Sequence, residues 1–122
     1  MFATDVQAEA LADVAGPIGV VAVPGDVREP EDVQRVIHAA LAANQPIDVF
    51  ANVAGVIVFK PVEATTVEYW DQIDVNLKGS FLFCCAGDEG GAIINTSSNA
   101  GVHGGVDESA YCASKLGIEG LS

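Results

Sequence analysis

Short apolar runs alternate with stretches of helical character along the whole chain, and this alternation sharply limits the folds open to it. Residues 2–4, 20–23, 48–51 and 92–96 each read as a buried strand rich in valine, isoleucine and alanine. Between them, Gly16-Pro17 stops a helix that begins near Val6. A second helix opens on Pro30 and carries Val33, Val36, Ile37, Ala40 and Leu41 as one apolar stripe, with His38 off it on the solvent side. Thr65-Thr66-Val67-Glu68 reads as a capping box that opens a continuous helix through Trp70, Ile73, Leu77 and Phe81 to about Ala86. The run 87–91, Gly-Asp-Glu-Gly-Gly, should break that helix, glycines in 99–109 predict a mobile loop, and a last helix starts near Ser109. Strand and helix in strict alternation predict a parallel sheet with helices on its faces.

Length and charge narrow the class further. With 122 residues, half of them hydrophobic, the chain is one domain spanning 1–122 with ample material for a core. Seventeen acidic against five basic residues give a net charge of −12, which argues against nucleic acid and anionic membranes as partners. Cys84, Cys85 and Cys112 form no disulfide framework and read as reduced core thiols of a cytoplasmic protein. The N-terminus has no basic segment followed by an apolar stretch, so no signal peptide is expected there, and no apolar run approaches the length of a membrane span.

The chemistry is concentrated near the C-terminus, in Tyr111-Cys112-Ala113-Ser114-Lys115. On a helix, residues four apart share a face, so the Lys115 ammonium can sit beside the Tyr111 phenol. A free phenol titrates near pH 10, which puts a tyrosine base at neutral pH about 4 kcal/mol out of reach. A cation about 4 Å away, at an effective dielectric of about 20, supplies roughly that much. Ser98 lies thirteen positions before the tyrosine, where an apolar strand would deliver its hydroxyl to the carboxyl edge of the sheet.

Three further segments complete a pattern: Pro24-Gly25-Asp26-Val27 after the second strand, Asn52-Val53-Ala54-Gly55 after the third, and Asp74-Val75-Asn76-Leu77 between them and Ser98. In this order they resemble the short-chain dehydrogenase/reductase family of the classical type, over nearly the whole chain. The resemblance implies a catalytic set of Asn76, Ser98, Tyr111 and Lys115. Tyr111 would exchange a proton with the substrate oxygen, and Ser98 would donate a hydrogen bond to it. Lys115 would assist the phenol and bind the nicotinamide ribose, and Asn76 would help hold a relay water. It also implies a cofactor site. Asp5 would accept from the adenosine ribose hydroxyls, Asp26 and Val27 would meet adenine, and Asn52, Ala54 and Gly55 would let the nucleotide approach, with Tyr111 and Lys115 at its nicotinamide end.

Asp5 would repel a 2′-phosphate, which favours NAD over NADP. The family's glycine-rich fingerprint has no counterpart here, because the first apolar run matches the family's second strand. The expected fold is therefore a partial Rossmann-type doubly wound parallel sheet lacking the first strand and its glycine-rich loop, truncated at both ends. In the strand order 3-2-1-4-5-6, that omission leaves a gap between the strands on either side. The implied activity is an NAD-dependent alcohol dehydrogenase or carbonyl reductase acting on a small alcohol or carbonyl substrate, complete in a longer, homo-oligomeric parent. The alternatives are an inactive remnant serving as a binding or structural module, and an epimerase or dehydratase of the same family.

Overall fold

The computed structural model describes residues 1–43, 46–86 and 90–122. The elements run β1 (Phe2–Ala3), α1 (Ala8–Ala15), β2 (Val21–Ala22), α2 (Pro30–Leu41), β3 (Val49–Asn52), α3 (Val67–Gln72), α4 (Leu77–Ala86), β4 (Ala92–Asn95), α5 (Asn99–His103) and α6 (Ser109–Leu121). β1 pairs with β2 and β3 with β4, both in parallel, as two separate two-stranded sheets. Together they make a partial Rossmann-type doubly wound α/β fold, split where the strand order predicts a gap. Facing the gap, the two sheets enclose a cleft of about 800 Å³.

The carboxyl ends of the two sheets come together at the start of α4. Gly79 sits so close to Val27, just past β2, that an added Cβ would lie 2.8 Å from Val27 Cγ2. One residue on, Ser80 Oγ accepts from Asn52 Nδ2 at the end of β3, at 2.5 Å. The core lies below this junction, where Val33, Val36 and Ile37 of the α2 stripe pack with Val27 and Phe83. Phe50 of β3 stacks on Phe83 with ring centres 4.4 Å apart. Because side chains alternate along a strand, Phe50 and Asn52 face α4, while Val49, Ala51 and Val53 stand exposed on the opposite face.

Several local expectations need correction. The helix expected to run unbroken to Ala86 is divided into α3, a 3₁₀ turn at Ile73–Val75, and α4. The break falls at Asn76, whose N–H reaches back three residues to Ile73 O at 2.8 Å while its side chain is tied to another segment. The cap of α3 is Thr66, which accepts from Tyr69 N–H, while the Thr65 hydroxyl donates to Pro61 O at 3.0 Å. α1 starts at Ala8 because Asp5 Oδ1 holds the Gln7 N–H in a turn at 2.8 Å. The loop expected over 99–109 begins with helix α5, and Cys85 is exposed rather than in the core, with Cys84 and Cys112 half-buried. The break expected at Gly87, Asp88 and Glu89 lies outside the described residues. His38 is exposed, as its place off the stripe predicts.

Candidate active site

Lys115 is the best-defined member of the site. It lies on the inner face of α6 with only 4% of its surface exposed. Its Nζ donates to Thr96 O, one residue past β4, at 2.7 Å. Burial pushes its ammonium below the usual lysine range. One turn earlier on the same helix, the Tyr111 ring centre lies 5.7 Å from Lys115 Nζ. An ammonium has three donors, and among the described residues Thr96 O takes one. The Tyr111 phenol makes no hydrogen bond among those residues, so its oxygen is open to a ligand.

Asn76 is wholly buried and ties three segments together. Its Oδ1 accepts from Val56 N–H at 2.7 Å, and its Nδ2 donates to Val56 O at 2.9 Å and to Ser114 Oγ at 3.0 Å. The Ser114 hydroxyl in turn donates to Tyr111 O at 2.7 Å. On its main chain, Asn76 O accepts from Ser80 Oγ at 2.6 Å, which links it to Asn52. Gly55 passes directly over this group. An added Cβ there would lie 3.2 Å from Asn76 Oδ1, a tight approach, and 3.6 Å from Lys115 Nζ, an ordinary contact.

Ser98 stands at the N-terminus of α5, the helix that packs against α6. It caps α5, with Oγ accepting from Ala100 N–H at 3.2 Å, so its hydroxyl hydrogen remains to be donated elsewhere. α5 lies against α6 so closely that a Cβ on Gly101 would come 2.8 Å from Leu116 N and 2.9 Å from Lys115 C. Ser97 fastens the same junction, its single hydroxyl hydrogen shared between Lys115 O at 3.0 Å and Glu119 Oε1 at 2.8 Å. Sequence reasoning missed Ser97, Ser114, Ser80 and Gly101. Ser114 carried a signal, since it lies three residues past Tyr111 on the inner side of a helix. The others depend on contacts between elements.

The nucleotide-side residues are more dispersed. Asp5 follows β1 and is exposed, its Oδ1 holding only the Gln7 N–H among the described residues. Asp5 O accepts from Gly25 N–H, which brings the ends of β1 and β2 together beside Asp26. Arg28 occupies the Asp26 carboxylate. Its Nη2 donates to Oδ2 at 2.6 Å, its Nε lies 3.0 and 3.1 Å from the two oxygens, and its main-chain N–H reaches Oδ1 at 2.9 Å. That pairing holds Asp26 below the usual carboxylate range. Val27 is buried against α4. Ala54 is exposed at the end of the β3 segment, beside Gly55.

A doubly wound sheet that gathers polar side chains at the carboxyl ends of its strands has the layout of a nucleotide-binding α/β protein. The chain belongs to the short chain dehydrogenase family, whose model matches residues 1–122. It is 38% identical over 104 residues to a D-threitol dehydrogenase of Mycolicibacterium smegmatis, covering 80% of this chain and 40% of that one. It is 36% identical over 124 residues to an NAD-dependent glycerol dehydrogenase of Listeria innocua, covering 93% and 49%. It superposes on a metagenomic short-chain oxidoreductase in complex with NADP with a TM-score of 0.90 at 32% identity, covering 98% of this chain and 60% of that one. The chain spans about half the length of the curated relatives it matches. No helix among the described residues is long and apolar enough to cross a membrane.

Proposed function

We propose that residues 1–122 carry the catalytic set of an NAD-dependent oxidoreductase that interconverts a small alcohol and its carbonyl compound. The observation that carries this reading is the convergence on Lys115, whose Nζ donates to Thr96 O just past β4, lies 5.7 Å from the Tyr111 ring centre and would stand 3.6 Å from a Cβ at Gly55. Hydride exchange with the substrate carbon is the chemistry a bound nicotinamide supplies. The protein's share is the proton. In oxidation the Tyr111 oxygen takes the hydroxyl proton of the substrate, and in reduction it returns it. Ser98 uses its remaining donor on the substrate oxygen. Lys115 holds positive charge beside the Tyr111 ring, and its two remaining N–H donors suit ribose hydroxyls. Asn76 and Ser114 hold the Tyr111 turn of α6 in register with the Val56 segment.

The residues present fit the two nucleoside ends of a dinucleotide. The bare Gly55 backbone accommodates a close neighbour at the nicotinamide end, and the exposed Asp5 carboxylate suits ribose hydroxyls at the adenosine end. Asp26 serves adenine only once Arg28 releases one of its oxygens. The negative charge of Asp5 supports NAD over NADP, although the solved relative is an NADP complex. A cytoplasmic setting and a homo-oligomeric whole protein belong to the same proposal, and the three free thiols accord with a reducing compartment.

A chimera tests the reading: residues 1–122 replace the matching segment of the solved oxidoreductase. Tyr111→Phe should cut its turnover by about 10²–10⁴-fold with cofactor affinity nearly unchanged. Lys115→Met should impair both. NAD should give the higher kcat/KM, and Asp5→Ser should narrow the difference. Undiminished turnover in Tyr111→Phe would refute the assignment.

A further inference from the structure

Asp5 O accepts from Gly25 N–H at 3.0 Å, so the turn over Pro24, Gly25 and Asp26 lies directly beside Asp5. A purine attached to the ribose that Asp5 would hold meets this turn, at the carboxyl end of β2, where open α/β sheets bind their ligands. The turn itself is braced. Arg35 Nη1 donates to Pro24 O at 2.7 Å, and Asp26 N–H donates to Asp32 Oδ2 at 2.8 Å. Arg35 Nη2 holds the other Asp32 oxygen, and Asp26 O accepts from Glu29 N–H at 3.0 Å.

What a base would find there is set by Arg28. A carboxylate offers about four acceptor positions, and Arg28 makes four contacts with that of Asp26, at 2.6 to 3.1 Å. A fork of this kind combines charge with fixed geometry and does not open readily. No acceptor of Asp26 is left for the exocyclic amine of an adenine. The guanidinium, by contrast, has donors to spare. Its Nη1 makes no hydrogen bond among the described residues, and 40% of the side chain is exposed.

We propose that Arg28 is a specificity-determining residue that masks Asp26, so that the site takes a purine dinucleotide without selecting for a 6-amino group and accepts a 6-oxo purine equally well. The inference rests on the reading of Asp5 and this turn as the adenosine end of the site. An amine at position 6 finds its acceptor already taken, whereas a carbonyl there can accept from Arg28 Nη1. With Arg28 removed, the same turn would favour the amine through a charge-assisted hydrogen bond to Asp26 and repel the carbonyl.

The test compares NAD with nicotinamide hypoxanthine dinucleotide, which carries the same net charge and differs from it only in the base, 6-oxo for 6-amino. Dissociation constants are measured by calorimetry on the 122-residue chain, and KM values on the chimera described above. The ratio of the two constants cancels whatever a substitution does to the fold or to the rest of the site. With no acceptor left for the amine, the ratio for the unmodified sequence should stay within about threefold of one. Arg28→Ser should raise the preference for NAD to about tenfold or more. Arg28→Lys keeps the charge but loses the fork, and should fall between the two. A preference for NAD of about tenfold in the unmodified sequence, or a ratio that Arg28→Ser does not move, would overturn the proposal. Asp5→Ala separates the proposal from the reading beneath it, because it should weaken both dinucleotides alike. If it weakens neither, the adenosine end lies elsewhere and the proposal fails with that reading. If it weakens both while Arg28→Ser leaves the ratio unchanged, only the role of Arg28 fails. Binding of neither dinucleotide, to the chain or to the chimera, would overturn both.

Discussion

Asn76 and Val56 form a two-way bridge, Val56 donating its N–H to the Asn76 side chain at 2.7 Å and accepting from it at 2.9 Å. The bridge joins the segment after β3 to the break between α3 and α4, and the same amide reaches Ser114 on α6. One buried side chain thus ties together three segments that are distant in sequence. Asn76→Ala would leave Ser114 Oγ and the Val56 main chain without these partners. A loss of about 2–3 kcal/mol is expected, measured by urea unfolding at neutral pH. A loss below about 0.5 kcal/mol would show that solvent replaces the bridge.

Gly101 and Gly120 should respond in opposite directions to the same change. At Gly101 a Cβ would run into the α6 backbone, which has no rotamer with which to yield. Gly101→Ala is expected to cost about 1–3 kcal/mol by forcing α5 away from α6. At Gly120, on α6, a Cβ would meet nothing within 4 Å. Gly120→Ala should stabilise by up to about 1 kcal/mol through helix propensity alone. Thermal unfolding of both variants makes the comparison.

Phe83 anchors the core from α4, 2% exposed and stacked on Phe50. Phe83→Ala is expected to cost about 3 kcal/mol, toward the low end for buried phenylalanine because the adjoining cleft lets its neighbours relax. Denaturant midpoints at constant m-value would measure it. A change in m would show instead that the two sheets had separated.

Burial of Lys115 predicts a pH dependence. Its ammonium is lowered in the folded chain, whereas in the unfolded chain it titrates near 10.4. Between those two values the unfolded state binds the extra proton, so stability rises with pH across that window. At pH below the folded value the full cost of burying the charge is present. Lys115→Met should remove this rise. Urea unfolding of both proteins from pH 7 to 10.5 gives the difference, and a difference that stays flat with pH would contradict the sign.

The sequence by itself determined the order of elements, because short apolar β-branched runs and the α2 stripe mark strand and helix locally, although much of β3 and β4 is exposed rather than buried. It also determined the Tyr111–Lys115 pair, because four residues on a helix is a fixed spatial relation, and the structure places that pair on one face of α6. The split between the two sheets was legible as well, since strand order follows from chain order in a doubly wound fold. Only the tertiary structure decided where the long helix breaks. The Asn76 side chain is drawn to Val56, twenty residues away in sequence, and no pattern within the helix records that partner. The same holds for the cap of α3, moved to Thr66 when the Thr65 hydroxyl turns to Pro61. It holds for Asp26, whose carboxylate is taken by Arg28, and for Gly101, whose missing side chain matters only because α6 passes within van der Waals distance. Local periodicity is written in consecutive residues. Partners across elements are chosen by packing, after the elements have met.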